Sequence, residues 1–115
     1  MNASRMLCIP VAVLFSLGSL AGAAMAAPAG ESVFRSACIA CHGVDGAGAL
    51  PGVPDLTASD SRLAQPENVL LKLTIEGFQS PGSSMAMPPR AGNPELSDED
   101  LRAALRYMRE RFGTR

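Results

Sequence analysis

Tryptophan is absent from this sequence, tyrosine occurs once and phenylalanine four times, one of these, Phe15, lying in an apolar N-terminal run. Aromatic side chains are thus too few to fill the core of a small domain unaided. A core that thin usually needs a staple, such as a disulfide, a metal or a large bound group. Histidine occurs once, at His42, so one subunit cannot form a site with two histidines. The cysteines are Cys8, Cys38 and Cys41. Charge of either sign is also scarce, with 10 Lys and Arg against 11 Asp and Glu. That balance gives no basic footprint for nucleic acid. No internal repeat or long low-complexity segment is present.

The chain begins as an exported protein would. Arg5 supplies a positive start, Ile9 to Leu20 an apolar stretch, and Ala24-Met25-Ala26 a small-x-small cleavage site. These features predict a secretory signal peptide at residues 1–26, cut after Ala26, and one domain at 27–115. A cut one residue later would place Pro28 directly after the scissile bond, a poor substrate for a signal peptidase. The alternative is an uncleaved anchor, because the run from Ile9 to Ala27 is almost long enough to span a bilayer. Cys8 precedes the run and leaves with the signal if it is cut. The expected location is the periplasm, with contact to a membrane only through partners or through such an anchor.

What is present in the exported part is Cys38-Ile39-Ala40-Cys41-His42. A C-x-x-C-H run is the attachment signature of a c-type haem: two thiols add to the two vinyl groups of one porphyrin, and the next histidine is held beneath the iron. Three other readings compete. A thioredoxin-like redox pair needs alternating strand and helix around the motif. Structural zinc needs four ligands, one more than residues 38, 41 and 42 supply. A disulfide between Cys38 and Cys41 closes a tiny loop and leaves His42 unexplained.

Apolar spacing at Val33, Phe34, Ala37 and Cys41 predicts a helix over Glu31 to Cys41, delivering the motif at its end. Glycines and prolines make Gly43 to Ser61 a loop. Pro66 is placed to open a second helix, which Gly77 stops. Phe78 to Pro94 reads as loop again. Ser97 caps the last helix, with Asp98, Glu99 and Asp100 in its first turn. Its apolar stripe is Leu101, Ala104, Leu105, Met108 and Phe112. Arg102, Arg106 and Arg109 share a flank, which is either a docking face for an acidic partner or an ordinary solvated surface.

A second axial ligand is found by subtraction. With one histidine in the chain and arginine always protonated, Met85, Met87, Met108, Lys72 and the new α-amino group remain. Met108 belongs to the apolar stripe and reads as core. Met85 and Met87 lie in a loop. Pro88 biases residue 87 toward extended backbone, and Pro88-Pro89 stiffens its presentation, which favours Met87.

Together these residues resemble the class I cytochromes c, especially the small monohaem proteins of bacterial periplasms. The resemblance covers nearly all of 27–115. Gly30, Phe34, Cys38, Cys41 and His42 are similar to that family's first helix and haem site. Met87-Pro88-Pro89 resembles its axial-methionine loop, and Leu96 to Tyr107 its final helix. The resemblance implies an all-α cytochrome c fold of three main helices and wrapping loops around one covalent haem c. It implies thioethers at Cys38 and Cys41, and His42 and Met87 on the iron. Pro54 and Leu56 would lie in the pocket, with the Pro54 carbonyl accepting the imidazole N–H. It further implies an electron-transfer protein with redox partner proteins and no catalytic residues, not an enzyme. The extra cysteine pair of some relatives is missing. Alternatives are an electron-transfer subunit of a larger oxidoreductase, or a peroxidase-type or gas-binding haem protein.

Overall fold

The computed structural model describes residues 28–113. The expected signal peptide, its cut after Ala26 and the anchor alternative fall outside the described residues. Among the described residues no helix is long and apolar enough to cross a membrane.

The first helical body is built in three pieces: α1 (Ala29–Val33), a π-helical turn (Phe34–Cys38) and α2 (Ile39–His42). It is longer than the expected Glu31 to Cys41 and is not a uniform α-helix. In the wide turn the Ile39 N–H reaches back five residues to the Phe34 carbonyl. Such a bond underwinds the helix locally, a distortion that frequently marks functional sites.

α3 spans Glu67–Glu76. Pro66 does not occupy its first position, as expected, but stands just before it with ψ 144, its carbonyl accepting from Leu70 N–H at 3.1 Å. Gly77 stops the helix with φ 81, as its position predicted. The stretch after it contains a short antiparallel pair, β1 (Phe78–Gln79) and β2 (Ala86–Met87), in the register Phe78↔Met87 and Gln79↔Ala86. Two-residue strands carry no readable alternation, which is why this stretch looks like plain loop in sequence.

α4 (Asp98–Phe112) is the longest element. Ser97 Oγ accepts from Asp100 N–H at 3.1 Å, and the Asp100 carboxylate accepts from Ser97 N–H at 2.9 Å, a reciprocal capping box. The expected stripe, Leu101, Ala104, Leu105, Met108 and Phe112, is buried throughout. Each large side chain of that kind stabilises the fold by about 1.5–3 kcal/mol. α4 crosses α1 at Gly30, where a β-carbon would overlap the Ala103 carbonyl. Phe34 seals the crossing, its ring 5.5 Å from Tyr107 and 5.4 Å from Phe112. The molecule is therefore mostly helical, with three helical bodies and long connecting loops, as the sequence led us to expect.

Candidate functional site

The C-terminal end of the first helical body carries the motif. Cys38 is buried, and desolvation, followed by the nearby Cys41, pushes its thiol up to about 11. Neither cysteine is bonded to the other. Burial holds the His42 imidazole below its ordinary value, so the ring is kept as a neutral base. The loop after the motif folds back onto it. Gly48 N–H donates to the His42 carbonyl at 3.0 Å and Ala49 N–H to the Cys41 carbonyl at 2.8 Å.

Further along this loop, Asp55 turns the chain by accepting from Thr57 N–H at 2.8 Å and Thr57 Oγ1 at 2.6 Å. Those two bonds hold its carboxyl below the usual range. Leu56 N–H donates to the Gly46 carbonyl at 2.8 Å, and the Leu56 side chain is buried.

All six residues expected at the site, Cys38, Cys41, His42, Pro54, Leu56 and Met87, line one cavity. The space between them is not filled by protein and is partly open to solvent. Its remaining wall is largely apolar: Leu70 and Leu73 from α3, Phe78 and Ala86 from the strand pair, Leu105 and Met108 from α4. Thr74 also faces it, but its hydroxyl is spent on the Leu70 carbonyl at 2.8 Å. Met85 lines the cavity as well, so lining alone does not separate it from Met87.

One expected contact is not made. His42 Nδ1 is buried with no hydrogen-bond partner, so it does not donate to the Pro54 carbonyl. Pro54 is a wall residue here. A buried ring nitrogen without a partner is rare, and the group that fits the site is decided by the donor set as a whole. A neutral buried imidazole, two unpaired thiols on the same turn, thioethers from another loop and an apolar wall fit a covalently attached haem. Zinc fits poorly, since among the described residues no group of three or more His, Cys, Asp or Glu is placed to hold a metal ion.

Sequence reasoning missed Arg62. It lies on a short 3₁₀ turn (Arg62–Ala64) and lines the cavity. Its guanidinium donates to Ser80 Oγ at 2.7 Å and rests 4.4 Å from the centre of the Phe78 ring. A single cation in a stretch without periodicity gives no signal of this placement.

The arginine flank of α4 is largely engaged within the protein, although Arg109 Nε is buried without a hydrogen-bond partner. Arg102 and Arg106 both pair with Glu99, at 2.7 and 3.1 Å, and Arg102 also lies 3.4 Å from Glu67. The Arg106 and Arg102 hydrogen bonds hold the Glu99 carboxyl below its ordinary value. Arg109 donates to the Gln65 carbonyl.

Three helical bodies around a cavity that joins a C-x-x-C-H turn to a methionine loop define a c-type haem domain. The family model for cytochrome c oxidase, cbb3-type, subunit III matches residues 25–108. Cytochrome c-555 of Chlorobaculum tepidum is 35% identical over 82 residues, covering 71% of this chain and 73% of that protein. Cytochrome c-555 of Chlorobaculum thiosulfatiphilum is 34% identical over 82 residues, covering 71% and 92%. Among solved structures, the cytochrome in the crystal structure of an electron transfer complex of nitrite reductase with cytochrome c is 34% identical, with a TM-score of 0.56. The match covers 73% of this chain and 94% of that one. The chain belongs to the monohaem class I cytochromes c, and it is an electron carrier.

Proposed function

We propose that the protein is a periplasmic one-electron carrier, with haem c joined to Cys38 and Cys41 and its iron ligated by His42 and Met87. The observation that carries this reading is the meeting of those four residues on the wall of one apolar cavity. When bound, the haem supplies an iron centre that takes up and gives up one electron. The protein's residues set the conditions. His42 and Met87 would together hold the iron and leave no open site for a substrate, and the Met87 thioether would favour the reduced iron and raise the potential. The apolar wall excludes water. Arg62, the cation on that wall, is suited to the carboxylates that the porphyrin carries.

Met87 is preferred to Met85 for how each is held. Met87 is paired in register with Phe78 and followed by Pro88-Pro89, so its backbone is positioned from both sides. Met85 is part of a bridge to another loop: Met85 N–H donates to Ser83 Oγ at 3.1 Å, and that hydroxyl has the Met85 and Gly52 carbonyls within reach of its one proton at 3.0 and 3.2 Å. Three measurements test the assignment. The processed protein has the mass of residues 27–115 plus one haem. Its ferric form shows a sulfur-to-iron charge-transfer band. Met87→Ala abolishes or weakens that band and lowers the potential, and Met85→Ala leaves both nearly unchanged. Loss of the band in Met85→Ala alone would exchange the two roles.

A second reading, a carrier held by one particular oxidoreductase, is favoured by two relatives. The solved cytochrome is in complex with nitrite reductase. Lupanine 17-hydroxylase [cytochrome c] of Pseudomonas sp is 37% identical over 90 residues, which are 76% of this chain and only 12% of that protein. Co-elution of the native periplasmic protein with a dehydrogenase or oxidase decides for this reading, and elution alone for the free carrier.

A further inference from the structure

The chain after Met87 is held in an unusual way. The turn Pro89–Gly92 runs left-handed, with Arg90 at φ 51, ψ 35 and Ala91 at φ 54, ψ 27, and Gly92 follows at φ 78. Two of these consecutive residues carry β-carbons, and neither is the Asn or Asp that tolerates this region best. A strained turn persists only where its surroundings over-determine it, and such turns concentrate at functional sites. Local backbone bonds contribute: Ala91 N–H donates to the Pro88 carbonyl at 3.1 Å and Asn93 N–H to the Arg90 carbonyl at 3.0 Å. The longer reach comes from one side chain. Arg90 Nη1 donates to the Leu96 carbonyl at 2.9 Å, and Nη2 to Asp98 Oδ1 at 2.6 Å. Asp98 is the first residue of α4, whose start is fixed by the Ser97 and Asp100 box.

We propose that Arg90 is a positioning residue for the Met87 thioether, clamping the left-handed turn behind Met87-Pro88-Pro89 to the first turn of α4. The proposal rests on the reading of Met87 as axial ligand. Ahead of Met87 the chain is pinned by the Phe78 pair and by Gly77, whose missing β-carbon would stand 2.9 Å from the Met87 carbonyl. Behind it lies the strained turn, which directs Ala91 into the same cavity wall as Met87 and sends Arg90 outward to its two acceptors. Releasing the guanidinium lets residues 90 and 91 relax toward ordinary backbone, and the shift is passed through two rigid prolines to the sulfur. The fork geometry matters, because one guanidinium serves a carbonyl and a carboxylate at once and an ammonium does this poorly. Arg90 and Asp98 side chains are 28% and 56% exposed, so salt reaches the pair.

The readout is the affinity of ferric holoprotein for imidazole, which enters only when the sulfur is off the iron and so reports the population of that state. Arg90→Ala and Asp98→Asn are each expected to bind imidazole about three- to tenfold more tightly than the parent. The double variant is expected to gain no more than Arg90→Ala alone, since the two changes remove one connection. Added salt should tighten imidazole binding in the parent and have little effect in Asp98→Asn. Arg102→Ala breaks ion pairs on α4 that do not include the turn, those to Glu67 and Glu99, and it should leave the affinity within about twofold. Met87→Ala serves as reference. If it raises the affinity strongly while Arg90→Ala and Asp98→Asn stay within about twofold of the parent, the clamp is refuted and the ligand assignment stands. If Met87→Ala itself changes nothing, the ligand assignment fails, and the clamp with it.

Discussion

A β-carbon has no room at residue 30 and little at residue 77, for different reasons that lead to different outcomes. At Gly30 the obstacle is the Ala103 carbonyl of α4, remote from the methionine loop. At Gly77 it is the Met87 carbonyl, 2.9 Å away, together with a backbone φ of 81 that L-residues rarely adopt. Gly30→Ala is therefore expected to lower unfolding free energy by about 1–3 kcal/mol, with the sulfur-to-iron band intact. Gly77→Ala should cost a similar amount and also weaken the band, because the β-carbon pushes on the backbone that presents the sulfur. Denaturant titration and the ferric absorption spectrum, taken on both variants, separate the two effects. Residues at this scale were unevenly legible. Cys38, Cys41 and His42 stand out because the C-x-x-C-H motif is contiguous in the chain. Arg62 and Arg90 do not, since each reaches its place through the fold of a short irregular turn.

Among the elements, α4 was readable to the residue because its signals are local: an N-cap serine, three acids in the first turn and an apolar period of 3.6. The wide turn at Phe34–Cys38 was not, since five residues are too few to reveal a changed period. It nonetheless allows Phe34 to face α4 while Cys38 lines the cavity. The α4 cap also makes a pH prediction. The Ser97 hydroxyl, and after it the Ser97 N–H, hold the Asp100 carboxyl below its ordinary value. A carboxylate of lowered pKa contributes stability that is complete above its unfolded value, near 4, and is lost as pH falls through its folded value. Asp100→Asn should thus be less stable than the parent at neutral pH. Its stability should also fall less steeply with acid below about pH 4. Circular dichroism during acid titration checks this, and parallel curves for the two proteins would show that the box has no part in acid unfolding.

For the whole molecule, the scarcity of aromatics and the cavity at its centre are one fact. Apolar side chains from the first helical body, α3 and α4 surround a space they do not fill, and the covalent group implied by the family is what the surrounding core is shaped to hold. The surface is where sequence left two readings open, and the geometry weighs against one. A flank of Arg102, Arg106 and Arg109 looks basic when only α4 is considered. In three dimensions Glu99 lies between Arg102 and Arg106, Glu67 of α3 reaches Arg102, and Arg109 turns to a backbone carbonyl. With Arg102 and Arg106 paired to carboxylates, the flank steers an acidic partner weakly. Uncharged side chains are exposed nearer the motif, with Val44 at 74% and Leu50 at 41%. Electron-transfer rates with the native partner are accordingly expected to vary little with ionic strength and to change by less than about twofold in Arg106→Gln. Val44→Asp should slow association while leaving the potential nearly unchanged, because it adds a charge outside the cavity. Stopped-flow rates across a salt series distinguish the two surfaces. A steep fall with salt that disappears in Arg106→Gln would move docking to the α4 flank, and would mean that the partner's acidic groups displace Glu99 from its arginines.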